Sequence, residues 1–181
     1  MKSYAYAHRF GVKRITWDDF AVLSTSLAER LEPFHPQMIL GIARAGLFPA
    51  TALACSLRCE LFPIRLTRRR NDEVVYNQPV WKVLVPQEVS GKIVAVVDEI
   101  SDTGQTLAMA ADQARLLGAA QVITASLVSH SWADPSPQIT ALVSDEFIIF
   151  PWDQKVLVRG KWIDHPEIVA GLKAQKKKPT S

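Results

Sequence analysis

Cysteine is scarce in this chain: Cys55 and Cys59 are the only two in 181 residues, with no second Cys pair or His pair at zinc spacing. A zinc knuckle is therefore not expected, and the two read as ordinary packed thiols on a helix or at its end. No run of about 18 apolar residues exists, so no membrane-crossing helix is expected, and MKSYAYAHRF lacks the long apolar core of a secretion signal. A reduced, cytoplasmic, soluble protein is the expectation. Internal repeats, low-complexity linkers and a second domain are missing too. Residues 1–181 therefore read as a single domain whose 48% hydrophobic content is enough to bury roughly two thirds of the unfolded surface. Charge of either sign is not in large excess, at +3 net, but the positive residues gather in RLTRRR (65–70) and in the terminal KAQKKKPTS. Either could attract nucleic acid. The end of the chain, 172–181, is expected to be a disordered basic tail, whereas the Arg cluster would equally suit an anionic substrate.

What is present alternates. ITWDDFAVLSTSLAERL carries Thr16 as an N-cap, acids in the first turn and Phe20, Leu23, Leu27 and Leu31 at helical spacing, and it stops at the prolines of EPFHP. MILGIA followed by RAGLFPATALACSL reads as strand, loop and helix. CELFPIRL and VWKVLV are further strands, and IVAVV (93–97) is continuously apolar and β-branched, as in a parallel strand covered on both faces. TLAMAADQARLLGA has helical spacing and stops at Gly118. QVITASLV and EFIIF supply the last strands. This order implies an α/β fold with a mostly parallel central sheet flanked by helices.

Between IVAVV and its helix lies the most informative stretch, VVDEISDTGQTL (96–107). In open parallel sheets, ligands bind at the carboxyl ends of strands, where this loop lies. A Gly-containing turn into a helix offers backbone N–H groups and the positive end of the helix dipole, and Thr103 and Thr106 add hydroxyls, which together make a phosphate cradle. Asp98 and Glu99 would repel that phosphate unless they face another part of the ligand, such as sugar hydroxyls or a magnesium ion bridging them. The ligand inferred is a sugar phosphate. The spacing fits neither a calcium loop nor a Walker A loop. A plain helix-capping turn explains Thr103 but not two adjacent acids closing an apolar strand.

VVDEISDTGQTL resembles the signature of type I phosphoribosyltransferases that binds 5-phosphoribosyl 1-pyrophosphate (PRPP). ILGIARAGLFPA resembles the pyrophosphate loop of that family, and FIIFPWD resembles the base-site segment of its xanthine, guanine and hypoxanthine members, particularly the short prokaryotic ones. The resemblance implies a type I phosphoribosyltransferase-like fold with a small base-binding hood. It also implies transfer of the phosphoribosyl group to a purine nitrogen, with pyrophosphate released and Mg2+ required. Asp98 and Glu99 would then hold the ribose hydroxyls, directly or with the metal, under a developing cation. Asp102, Thr103, Gly104, Gln105 and Thr106 would clasp the 5′-phosphate, and Asp102 would also lie near N7 of the base and take its proton. Gly41, Arg44, Ala45 and Gly46 would receive the pyrophosphate, with Ala45 standing where many relatives have Gly. In that family the peptide after the basic position, here Arg44–Ala45, can be non-prolyl cis.

RLTRRRNDEVVYNQPVW occupies the place of a loop that closes over the site, with Arg68, Arg69 or Arg70 bringing positive charge to the diphosphate. Phe150 and Trp152 offer a stacking surface, and backbone groups up to Asp153 can read the base edge. His130 falls where 6-oxopurine enzymes carry a Lys that donates to O6. A His there can donate or accept. The expectation is 6-oxopurine use with reduced discrimination against adenine, more efficient as pH falls toward 6. By analogy a homodimer or homotetramer is expected. A different class, a PRPP- or nucleotide-binding regulator that contacts nucleic acid, is disfavoured because the loop keeps every acid the chemistry needs. A pyrimidine acceptor is disfavoured by FPWD.

Overall fold

The computed structural model describes residues 9–70 and 73–176. After a short strand, β1 (Val12–Arg14), the chain enters helix α1 (Trp17–Leu31) through a reciprocal cap. Asp19 Oδ2 accepts the Thr16 backbone N–H at 2.9 Å and its hydroxyl at 2.8 Å, and the Asp19 N–H donates to Thr16 Oγ1 at 3.0 Å. Those two Thr16 donors, the backbone one foremost, hold the Asp19 carboxyl below its ordinary range. The order then runs β2 (Met38–Ile42), α2 (Leu47–Leu57), β3 (Glu60–Thr67), β4 (Arg69–Arg70), β5 (Glu73–Val74) and β6 (Val80–Val83). It continues through β7 (Ile93–Ser101), α3 (Gln105–Leu116), β8 (Gln121–Ser129), β9 (Ile139–Val143), β10 (Phe147–Ile149), β11 (Lys155–Val158), β12 (Lys161–Asp164) and α4 (Pro166–Lys176).

The described chain divides into two compact units, one of residues 22–144 and one formed by the stretches up to Ala21 and from Asp145 onward. The larger unit holds a six-stranded sheet in the order β6-β3-β2-β7-β8-β9, parallel except for β6, which pairs antiparallel with β3 at the edge. β2 is buried along its whole length, and β7 from Val94 to Asp98, because helices cover the sheet. On one face Met38, Leu40, Ile42, Val94, Val96 and Ile64 meet Leu107, Ala110, Ala111 and Ala114 of α3, whose small side chains let the helix lie close. Each fully buried aliphatic side chain contributes about 2 kcal/mol relative to exposure. From β2 the chain moves to β3 on one side, while β7 pairs on the other side of β2. The crevice at that reversal, at the carboxyl ends of β2 and β7, is where an open sheet of this kind binds ligands.

In the smaller unit, β1 pairs parallel with β10, β11 and β12 form an antiparallel hairpin, and Ile168 and Leu172 of α4 pack on Phe147 and Ile149. Positive φ at Arg159 (49°) and Gly160 (77°) makes the tight hairpin turn.

Helices α1, α2 and α3 and strands β2, β3, β6, β7, β8 and β10 fall where the sequence places them; β1, β9, β11 and β12 are additional to that reading, and four further points differ. β7 does not stop at Val97, because Ile100 and Ser101 still pair with Val128 and Ser129, so Asp98 and Glu99 belong to the strand itself. The Arg-rich stretch contains a two-stranded ribbon, β4 with β5. α4 runs to Lys176, into the segment expected to be a disordered tail, whose residues 177–181 lie outside the described ones. Cys55 is exposed on α2 rather than packed, and Cys59, half-buried beyond the helix end, has its thiol pKa raised by that burial; both are free. Among the described residues no helix is long and apolar enough to cross a membrane.

Candidate active site

The loop after β2 and the end of β7 are in contact. A Cβ on Gly46 would lie 2.5 Å from the Ile42 carbonyl oxygen and 2.7 Å from Asp98 Oδ1, so only glycine lets the start of α2 rest on the acid strand. A non-prolyl cis peptide is present in this loop, but at Ala43–Arg44, before the basic residue instead of after it. The Arg44 side chain is exposed, and its carbonyl accepts the Leu47 N–H at 3.2 Å as α2 begins. Arg44, Ala45 and Gly46 thus form a short turn between the β2 end and a helix N-terminus, which is a favourable setting for an anion.

Asp98 is only 8% exposed. Burial first, and the neighbouring Glu99 charge second, push its carboxyl well above the ordinary carboxylate range, against the pull of the Glu99 N–H donated to Asp98 Oδ1 at 3.0 Å. Glu99 is half-buried. A buried acid beside a second acid suits a partner that brings hydroxyl donors or a cation. Among the described residues no cluster of three His, Cys, Asp or Glu side chains exists. Two carboxylates fit magnesium, which keeps several waters and takes substrate oxygens rather than an all-protein cage.

Beyond Ser101 the chain turns into α3 through Gly104, at φ 80°. A Cβ there would fall 2.2 Å from the Pro135 carbonyl oxygen. Thr103 and Gln105 are exposed and Thr106 half-buried at the N-terminal end of the helix, as a phosphate cradle requires. Asp102 lies in the same turn, where its Oδ1 accepts the Trp132 Nε1–H at 3.2 Å and lies 3.9 Å from His130 Nε2. The His130 Nδ1–H donates to the Ser144 carbonyl at 2.6 Å, and the ring stacks on Trp132 at 4.4 Å and 17°. With 1% exposure, His130 is built into the surroundings of Asp102. Trp132 and Ser144 escaped the sequence reading. Parallel pairing of β7 with β8 is the signal that finds Trp132: Ser101 opposite Ser129 lays SHSWADP beside SDTG.

Arg68 and Arg69 are half-buried and Arg70 is exposed. The Arg68 Nε–H donates to the Tyr76 carbonyl at 3.3 Å, and the Arg68 carbonyl accepts the Val75 and Tyr76 N–H groups, so Arg68 partly ties the ribbon together. In the smaller unit, FIIFPWD is β10 followed by a single helical turn over Pro151–Asp153. Phe150 is buried, and Trp152, half-buried, stacks on it at 4.8 Å and 5°. Phe20 and Trp17 meet Trp152 at 5.5 and 5.9 Å, completing an aromatic cluster. Asp153 closes the turn, its N–H on the Phe150 carbonyl at 3.2 Å.

Comparison with known proteins identifies relatives of the chain and of its fold. The xanthine-guanine phosphoribosyltransferase of Gluconobacter oxydans (strain 621H) is 28% identical over 152 residues, 77% of this chain and 83% of its own. That of Nitratidesulfovibrio vulgaris (strain Hildenborough) is 27% identical over 161 residues, 84% of this chain and 91% of its own. The crystal structure of a purine phosphoribosyltransferase from Pyrococcus horikoshii Ot3 superimposes with a TM-score of 0.72 at 28% identity, covering 82% of this chain and 98% of that one. Residues 20–159 match the family described as the phosphoribosyl transferase domain, a span that contains the turn after β2, the acids of β7 and the loop into α3, and the chain belongs to that family.

Proposed function

We propose that this protein transfers the 5-phosphoribosyl group from PRPP to a purine base, a 6-oxopurine such as hypoxanthine, guanine or xanthine, giving the nucleoside 5′-monophosphate and pyrophosphate in purine salvage. The observation that carries this reading is the junction of β2 and β7, where a buried acid, its acidic neighbour, a glycine turn and a helix N-terminus converge. The names of the relatives support purine as the acceptor.

The chemistry divides among residues. As the anomeric carbon parts from the pyrophosphate, positive charge grows on the sugar, and Asp98 and Glu99 hold the ribose hydroxyls beneath it. Thr103, Gly104, Gln105 and Thr106 bind the 5′-phosphate through backbone N–H groups and hydroxyls. The turn of Arg44, Ala45 and Gly46, with Arg68 and Arg69, receives the leaving pyrophosphate. Asp102 takes the N7 proton as N9 attacks. Trp152, braced by Phe150, offers its ring to the base, with the backbone up to Asp153 reading the base edge. Magnesium bound to Asp98 and Glu99, directly or through water, would neutralise pyrophosphate oxygens. A homodimer or homotetramer belongs to the same reading, and light scattering showing a monomer would remove it.

The test is incubation with PRPP, magnesium and a panel of purines and pyrimidines, with pyrophosphate release as the readout. Release with 6-oxopurines is expected. Release with orotate alone, or with no base, would overturn the proposal.

A further inference from the structure

We propose that Trp132 and His130 are positioning residues for Asp102: the indole N–H fixes its carboxylate, and the imidazole is the second acceptor of the proton that Asp102 takes from the purine. This rests on the reading of Asp102 as the N7 proton acceptor.

β8 and β9 are parallel neighbours joined by a connection without a helix. That connection lies on the loop after β7 and bonds three successive residues of it. The His130 N–H donates to the Ser101 carbonyl at 3.1 Å, the Trp132 indole to Asp102 Oδ1 at 3.2 Å, and the Asp134 N–H to the Thr103 carbonyl at 3.2 Å. Asp102 is therefore gripped both through the backbone on either side of it and by its own carboxylate. The indole bond fixes the place of Asp102 Oδ1, the oxygen that also faces His130.

The tautomer of His130 follows from its partner. The Ser144 carbonyl can only accept, so Nδ1 carries the hydrogen, and in the neutral ring Nε2 is a lone pair. That lone pair lies 3.9 Å from Asp102 Oδ1. Two acceptors at this separation share nothing until a proton arrives. When N9 forms its bond to the anomeric carbon and the bond to the pyrophosphate oxygen breaks, the N7–H electron pair remains in the purine ring and the proton passes to Asp102. From Asp102 it can be shared with Nε2, leaving an imidazolium whose Nδ1–H stays on Ser144. Stacking on Trp132 fixes the plane of the imidazole, and the ring itself is buried at 1% exposure.

Two substitutions dissect the pair. Trp132→Phe keeps an aromatic ring over the imidazole and removes the N–H; His130→Asn keeps a donor for Ser144 and removes the acceptor. Each is made in the parent and in Asp102→Asn. The measurements are the single-turnover rate at saturating PRPP, the KM for PRPP, and the NMR resonance of the Trp132 indole N–H, identified by its loss in Trp132→Phe. Since a positioned general base is worth about 100-fold or more, loss of its support is expected to slow turnover about tenfold, with KM for PRPP changed less than about threefold. No further loss is expected in the Asp102→Asn background, where the indole resonance moves. An active parent whose two variants match it, an equal loss repeated in Asp102→Asn, or an indole resonance that stays in place would each overturn the proposal. A parent that releases no pyrophosphate with any purine overturns instead the transferase reading beneath it.

Discussion

Asp98 sits where its charge is unwelcome until a ligand arrives. Because its folded-state carboxyl is raised above the ordinary range, the native protein holds this proton more readily than the unfolded chain does, and stability falls as pH rises through the folded-state pKa. In metal-free, ligand-free protein, Asp98→Asn should therefore raise the melting temperature at pH 8, and the advantage should shrink as pH is lowered toward 5. An advantage that is flat or grows on acidification would show that burial does not govern this residue. The same variant should transfer phosphoribosyl groups at a small fraction of the parent rate, since an amide cannot supply the negative field. This side chain was legible in the sequence, as were Glu99 and the Asp-Thr-Gly turn, because adjacent acids closing an apolar strand have no structural use. Trp132 was not, since an aromatic after a strand reads equally as core, and only the register between β7 and β8 lays it on Asp102.

Among the elements, those with a strong local period were legible and those defined by a distant partner were not. α1 announced itself through Thr16 and its first-turn acids, and its cap is the one the pattern suggests. Thr16→Ala removes both side-chain bonds of Thr16 and should cost about 1 kcal/mol, a lowering of roughly 2–4 °C in thermal melts. An unchanged melt would mean that the exposed cap is idle. β1, three residues without a period of its own, exists because it pairs with β10, the strand that EFIIF announces. The ribbon of β4 and β5 is short as well and reads from sequence as loop. If its arginines face the diphosphate, alanine at Arg68, Arg69 and Arg70 together should raise the KM for PRPP at least about tenfold and leave the KM for the base within about threefold. Equal effects on both would point to the backbone bonds of Arg68, which tie the ribbon together.

At the scale of the molecule, every residue that the proposed reaction gives to PRPP lies in the unit of residues 22–144, while FIIFPWD belongs to the other unit. Ending the chain after Asp164 removes Ile168 and Leu172 from Phe147 and Ile149 and uncovers that small core. The expected result is a lower melting temperature and a large loss in kcat/KM for the purine, with PRPP affinity by calorimetry within about threefold. Loss of PRPP binding to the same extent would show that the two units do not divide the work in this way. Reading the chain as one domain follows from the absence of any linker, and local patterning gives no sign that the first strand waits for the last third of the chain. Synthesis gives that wait a duration. At ~5–20 residues per second, the ribosome releases Phe147 on the order of ten seconds after Val12, and by then the whole unit of residues 22–144 has emerged. The nascent chain can thus hold the complete loop between β7 and α3 while β1 still has no strand to join, and in that interval Val12 is exposed to whatever chaperone first meets it.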